Sequence, residues 1–432
     1  MPLMRSGHRS SWTRGLLASL AACAGAAAAQ EPERPAMTGL RISGFGTLAV
    51  SEVQAPATWG FRRELTQPAR PARWRWDADT RLGVQANVSV GPSLELVAQG
   101  IAKRRGAFAG DADALEWAYA SYRPDAEWTL RAGRVNVDTF LMADYRNVGF
   151  GFLSIRPPVE FYARLPTTLD GGDVARSWLA GDAQWRAKLL AGATRIGDVD
   201  FSEAGRLNSV LGGMVSREQG GWLLRASIAR ARIDFRQDDA RRSALAALGQ
   251  LAALPLPAVA APAQQLRERL GANGIQARFT EVGLRYEGSA WQGSAEFVHV
   301  SAPPLTVERT FYAMLGYRLA DWTPFVGHGR SRNAVAALDV PAWQQVLTPV
   351  LGAAAAAEAQ GLGKAVVAVL NGGRLVQSSW SVGLRWDFHA QAALKLQWDR
   401  VSVAPGGGAL WAGVAGPPGR ARVATAAVDF IF

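Results

Sequence analysis

The stretch Asp77–Val90 reads DADTRLGVQANVSV. Leu82, Val84, Ala86, Val88 and Val90 fall on one side of an extended chain; Asp77, Asp79, Arg81, Gln85, Asn87 and Ser89 fall on the other. Successive strand side chains point to opposite faces, so a wholly apolar face backing a wholly polar one means a sheet between two unlike solvents. In a soluble sandwich the apolar face would be the core. In a transmembrane barrel it meets lipid, and the polar face lines the lumen.

The connections decide between the two. Gly91–Ser93 turns the chain tightly into Leu94–Lys103, and a longer link through Gly106, Gly110 and Asp111 leads to Leu115–Tyr122. Pro124–Glu127 turns into a fifth strand, Trp128–Arg134, with the first strand starting at Leu40. Further strands are expected at about Val174–Ala180, Trp185–Thr194, Arg206–Ser216, Trp222–Ile233, Ala277–Glu287 and Trp291–Val300. The last five are Thr310–Leu319, Pro324–Arg332, Ser379–Phe388, Ala392–Val401 and Arg422–Phe432, which makes sixteen. Links after even-numbered strands are short, and most of those after odd-numbered strands are long. That sorting marks outer-membrane barrels and is foreign to sandwiches. The expected fold is all-β: a 16-stranded antiparallel transmembrane β-barrel with short periplasmic turns and long extracellular loops.

Residues 1–29 are expected to be a cleaved signal peptide, leaving 30–432 as a single barrel domain. Arg5, Arg9 and Arg14 precede an apolar run, and Ala27-Ala28-Ala29 offers a small-residue cleavage site. Leu20-Ala21-Ala22-Cys23 also resembles a lipobox, with Cys23 as the lipidated residue. Removing the three leader arginines takes the formal +11 to +8. Cys23 is the only cysteine, so the mature chain has no disulfide framework and no thiolate metal site. A basic chain suggests nucleic acid, but a secreted one rarely meets any, and no nucleic-acid partner is expected. The longest uncharged run, residues 243–266, carries three prolines and several glutamines and makes a poor transmembrane helix.

The link after the fifth strand, residues 137–173, is long and chemically mixed. Asp138, Asp144, Glu160, Asp170 and Asp173 alternate with Arg146, Arg156 and Arg164 among six aromatics. Uncovered loops of this length inside compact folds are usually functional. These eight charged residues are expected to form a constriction where the loop folds into the barrel. The alternative is an external loop packed by its own aromatics. Strand parity assigns Arg81, Arg186, Lys188, Arg225, Arg285, Arg318, Arg330, Arg332, Arg385 and Lys395 to the lumen wall as bases. The acids there are Asp77, Asp79, Glu95, Glu281, Glu287, Glu296, Asp387, Asp399 and Asp429. A mixed wall facing a charged loop would set up a transverse field that favours small polar solutes, with a mild anion preference from the net charge. Cross-strand pairing in a solvated lumen is the plainer use of the same residues.

Two alanine- and leucine-rich inserts, about 234–276 and 333–378, show helical spacing at Leu245, Leu248, Leu251 and at Val346, Leu347, Val350, Leu351. They read as padding over the barrel mouth or as a gate dipping into it. Enzymatic signals are weak. His8, His299, His328 and His389 show no HExxH spacing, no GxSxG elbow occurs, and Gly361-Leu362-Gly363-Lys364 lacks the Ser/Thr of a phosphate loop. No enzyme activity, cofactor or metal is expected; Asp77/Asp79, Asp111/Asp113 and Asp198/Asp200 read as solvated acids.

The final stretch, RVATAAVDFIF (422–432), puts Ala424, Ala426, Val428, Phe430 and Phe432 on one face. A terminal strand in lipid must close against the first. With SVGLRWDFH (381–389), ALKLQWDR (393–400) and AGRVN leading into the long loop, the sequence resembles the Gram-negative porin family. That resemblance implies that Phe430 and Phe432 belong to a signal read by the barrel-assembly machinery. It also implies a homotrimer in outer-membrane lipid and lipopolysaccharide, and passive diffusion of small hydrophilic solutes and ions. The alternatives are a plugged barrel with a surface role, or an uptake channel for one anionic solute.

Overall fold

The computed structural model describes residues 39–105, 114–197, 204–412 and 419–432. Its frame is sixteen long strands. The first eight are β1 Leu40–Gln54, β2 Arg81–Val90, β3 Leu94–Lys103, β4 Leu115–Tyr122, β5 Trp128–Asn136, β6 Thr168–Ala180, β7 Ala183–Gly197 and β8 Ala204–Gln219. The rest are β9 Trp222–Phe235, β10 Ile275–Glu287, β11 Trp291–Ala302, β12 Thr306–Tyr317, β13 Trp322–Asn333, β14 Leu375–His389, β15 Ala392–Gly408 and β16 Gly419–Ile431. Each pairs antiparallel with the next, and β16 returns to β1 from Phe45 opposite Ile431 to Gln54 opposite Arg422. No barrel strand is left with a free edge, as lipid requires. One connection departs from expectation: β11 reaches β12 through Pro303–Leu305 alone, so this loop-side link is a tight turn too. Residues 1–38, with the expected leader and Cys23, lie outside the described residues, as do Asp111, Asp113, Asp198 and Asp200.

The outer surface is apolar where the alternation predicts it. Leu48, Leu82, Val84, Leu96, Leu189, Leu211, Ile228, Val282, Phe297, Leu315, Val382 and Leu396 are all exposed. At the short-turn end this band is bordered by aromatics in cross-strand contact: Trp222 with Tyr286 (4.5 Å), Trp291 with Tyr317 (4.7 Å) and Trp322 with Trp386 (5.0 Å). Aromatic girdles of this kind sit at the membrane interface. The closing seam has its own fit. The Phe432 and Phe430 rings lie flat over Gly44 and Gly46, where an added Cβ would come within 2.3 Å of either ring. Gly44 and Phe432 also exchange backbone hydrogen bonds of 2.8 and 2.9 Å.

The inserts are helical: α2 Asp239–Ala252 and α3 Pro257–Gly271 between β9 and β10, α4 Trp343–Leu351 and α5 Ala353–Gly372 between β13 and β14. (A single turn, α1 Val159–Tyr162, lies in the long link after β5.) Leu248, Val259, Leu266, Leu270, Trp343, Leu347, Ala356, Val366 and Val367 bury one another in a core with no strand residue. α5 is long and apolar enough to cross a membrane, yet its apolar side is spent on this cluster. The Gly361–Lys364 stretch lies within α5, so no phosphate-cradling loop forms there.

Candidate functional site

Inside the barrel, the segment 137–167 leaves β5 and runs against the inner wall nearly all the way round. Its first carboxylate, Asp138, sits between Lys188 on β7 and Arg225 on β9, the latter at 2.6 Å. Ser227 Oγ donates to the Thr139 carbonyl at 2.8 Å. The Leu141 N–H donates to Glu296 on β11 at 2.7 Å, and Tyr162 and Tyr312 both donate to the other oxygen of that carboxylate. Across the bore, Arg81 on β2 donates to the Asn147 carbonyl at 2.6 Å, and Arg385 on β14 donates to those of Phe150 and Phe152 at 2.8 and 3.0 Å.

Lys395 makes the densest of these contacts. It is fully buried and donates to the carbonyls of Gly149, Phe152 and Ser154 at 2.6, 2.6 and 2.9 Å, with Asp429 at 3.0 Å. Asp429 in turn accepts from Thr47 at 2.6 Å. A charge this deep persists only when paired and hydrogen-bonded. The chain approaches so closely here that a Cβ on Gly149 would fall 1.9 Å from the Asp429 carboxylate. Between these polar clasps lies an apolar filling. Phe140, Leu141, Met142, Phe152, Phe161 and Tyr162 pack on Leu190, Val210, Ala231, Val298 and Tyr312 of the wall.

The remaining charges of the segment are paired as well. Arg156 bridges to Asp79 and donates to the Ala78 carbonyl at 2.7 Å, Glu160 accepts from Gln377 at 2.7 Å, and Arg164 bridges to Glu308. Asp144 accepts from Asn136, and Arg146 braces the segment internally through the Tyr162 and Leu165 carbonyls. Arg186 and Arg285 stay on the inner wall toward the short turns, both half-buried, and Arg285 lies 3.4 Å from the Tyr145 hydroxyl.

Five assignments from sequence need correction. The segment ends at residue 167, because Thr168–Gly172 already pairs with β5 and, from Asp170 on, with β7. Asp170 therefore lies on β6, exposed on the outward face and bridged to Arg134 at 2.8 Å; Asp173 lies on β6 facing inward, bridged to Arg131. Arg330 and Arg332 face outward, because Thr323, Phe325 and Ser331 hold the buried inner positions of β13. Arg318 sits in the turn after β12, exposed, with its N–H donating to the Ala290 carbonyl at 2.7 Å.

Sequence reasoning missed the link 55–80. Arg62, Arg63, Gln67 and Asp79 are buried there, and Trp59 and Phe61 pack with Trp411, Leu375 and Val401. Arg63 pairs with Asp79 at 3.2 Å and with Asp399 on β15 at 3.3 Å. The available signal was the density of arginine and aromatic residues in WGFRR (59–63). Among the described residues no group of three or more His, Cys, Asp or Glu side chains could hold a metal.

A sequence profile described as Gram-negative porin matches residues 16–335. No curated protein matches the sequence. OmpF of Salmonella typhi, solved with daunomycin, superposes with a TM-score of 0.51 at 11% identity, over 91% of this chain and 97% of that one. OmpT of Vibrio cholerae gives 0.47 at 9% identity, over 92% and 100%. An anion-selective porin from Comamonas acidovorans gives 0.48 at 9%, over 91% and 99%. At these identities the likeness is one of fold.

Proposed function

Because the chain belongs to the Gram-negative porin family, we propose that it lets small hydrophilic solutes and ions diffuse passively across the outer membrane. In this reading the segment 137–167 is the constriction. The observation that carries it is that segment's position within a sixteen-stranded barrel, clasped by Lys188, Arg225, Glu296 and Lys395. Half-buried Gln85, Glu95, Arg186 and Arg285 line the approach from the turn side. A mild anion preference fits the +8 left once a cleaved leader is removed, as +11 less three arginines. The same reading takes residues 1–29 as the signal peptide, Phe430 and Phe432 as the assembly signal, and a homotrimer as the working form.

A second reading, a barrel closed at rest, is favoured by the apolar filling between Phe140, Phe161 and the wall. Single-channel recording of refolded protein in planar bilayers, with reversal potential in a salt gradient, separates the two. Stable conductance supports the diffusion pore, whereas its complete absence supports the closed barrel. Joint replacement of Arg156 and Arg164 by alanine releases the segment from Asp79 and Glu308 and should raise conductance or shift selectivity. An unchanged channel would remove these arginines from the constriction.

A further inference from the structure

One buried carboxylate of the inward segment lacks the counter-charge that its neighbours have. Glu160, in the single turn α1, is 2% exposed. Among the described residues no lysine, arginine or histidine stands at ion-pair distance from it, and the two arginines that share its surroundings are engaged elsewhere. Arg63 bridges Asp79 and Asp399 and donates to Thr425 at 3.1 Å, while Arg156 bridges Asp79 and donates to the Ala78 carbonyl. Glu160 instead accepts from Gln377 Nε2 at 2.7 Å and from the Ser379 hydroxyl. Neutral donors leave the full negative charge in place, and a charge this deep needs a counter-ion or a proton.

Gln377 supplies a second observation. It is 4% exposed, and although its amide N–H faces Glu160, its Oε1 has no hydrogen-bond partner. Both atoms belong to one amide, so an unsatisfied acceptor lies beside an unpaired anion, and a buried acceptor left so is costly. The third observation is space. Between α1 and strands β12 to β15 lies a cavity bounded by Glu160, Ser379, Asp399, Met314 and Val401, with Gly327 and Gly329 on the wall. A Cβ on Gly329 would fall 2.6 Å from Glu160 Oε2, so bare backbone is what lets the carboxylate reach this place. The centres of water-sized spheres have ≈ 30 Å³ there, where about 10–15 Å³ suffices for one. That admits a particle of water's size and excludes an organic solute.

We propose that this cavity binds one monovalent cation of alkali-metal or ammonium size, held by the Glu160 carboxylate, the Gln377 amide oxygen and the Ser379 hydroxyl. The ion ties α1 to β14 where a direct charge pair is missing. Oxygen ligands suit hard cations, and a single free carboxylate balances a single charge. Asp399, the other acid of the cavity, is already matched by Arg63, Ser381 and Gln397. A divalent ion such as Ca²⁺ takes about 6–8 oxygens, several of them from carboxylates, and the described residues gather no such group of acids. The proposal uses the segment's place inside the barrel and not the channel's conductance, so a barrel closed at rest would leave it intact.

The test is crystallography of the full chain in rubidium chloride at neutral pH, with anomalous data collected at the rubidium edge. The expected result is an anomalous peak touching Glu160 and Gln377, displaced by added ammonium chloride and lost from crystals of Glu160→Gln. In solution, rubidium chloride should raise the midpoint of the heat-modifiable gel shift by about 2 °C over an equal concentration of tetramethylammonium chloride, whose cation is too large to enter. Glu160→Gln should abolish that difference. A parent crystal with no rubidium peak, its carboxyl holding a proton or a water instead, would overturn the proposal. So would a peak that persists in Glu160→Gln, or equal midpoints of the parent in the two salts. If Glu160→Gln does not fold, Ser379→Ala keeps the bond to Gln377 and removes one ligand; rubidium occupancy equal to the parent's would then count against the site.

Discussion

The loop side of the barrel is filled by two regions built on opposite principles. The segment 137–167 is pinned to the wall by directed polar contacts on either side of its apolar filling: Lys188, Arg225, Arg81, Arg385 and Lys395 reach its carboxylates and carbonyls. The helical cap, α2 to α5, is held by its own grease around Trp343 and Leu347. Its ties outward are few and end-on, such as Arg269 to the Pro304 carbonyl at 3.0 Å and Arg374 to the Gly406 carbonyl at 3.2 Å. A segment clasped from many strands can move only if the wall lets go of it, whereas a region with a private core can loosen alone. Directional contacts make the first part of the barrel; apolar burial makes the second a separable module.

The largest expected effect comes from breaking the clasp. Lys395→Met leaves Asp429 charged and buried and strips the Gly149, Phe152 and Ser154 carbonyls of their donor. Removing one partner of a buried pair costs about 3–5 kcal/mol. The barrel's own unfolding temperature, read by heat-modifiability on gels, should fall markedly. A Lys395→Met barrel as heat-stable as the parent would show that the segment is not held in this way.

The cap should behave in the opposite manner. Trp343→Ala empties the centre of the helical core, a change of about 3–5 kcal/mol for a fully buried Trp. Because the cluster contains no strand residue, the loss should appear as fast amide exchange across residues 239–271 and 343–372, with barrel strands still protected. Exchange spreading into β13 and β14 would contradict the separation.

The same contrast explains what could be read from sequence. Lipid enforces the outer face, so Leu82 to Val90 announced their strand. The inner face obeys no such rule once it packs on protein. Beside Arg225 and Ser227, the inner positions of β9 are Leu223, Ala229, Ala231 and Ile233, so apolar residues occupy both faces of this strand. On β13 the neighbours Phe325 and Val326 are both apolar, but only Phe325 is buried; a one-residue slip in reading this pair sends Arg330 and Arg332 to the wrong side. Thr168–Gly172 reads as loop because of its glycines, yet pairing with two neighbouring strands overrides local preference. The inward turn of residues 55–80 left no periodic trace, since tertiary contacts decide it: the ion pairs of Arg63 and the packing of Trp59 and Phe61 on Trp411.

The smallest effect tests a junction where charge binds two inward segments together. Asp79 receives Arg156 from the segment 137–167 and Arg63 from its own link, and Arg63 continues to Asp399 on β15. Burial works to raise the Asp79 carboxyl, but Arg156, Arg63 and Arg81 overcome it and hold the group below the usual carboxylate range. A carboxyl depressed in the folded state stabilises it fully above the unfolded value of about 3.9, and loses that contribution as pH falls through the lower folded value. The junction should therefore hold from neutral pH down to about 4 and loosen only below it. In planar bilayers this predicts current noise that is flat over that range and rises in stronger acid, with Asp79→Asn noisy at every pH. A transition near neutrality in the parent, or a quiet Asp79→Asn channel, would mean that the junction between the two inward segments is not what steadies the bore.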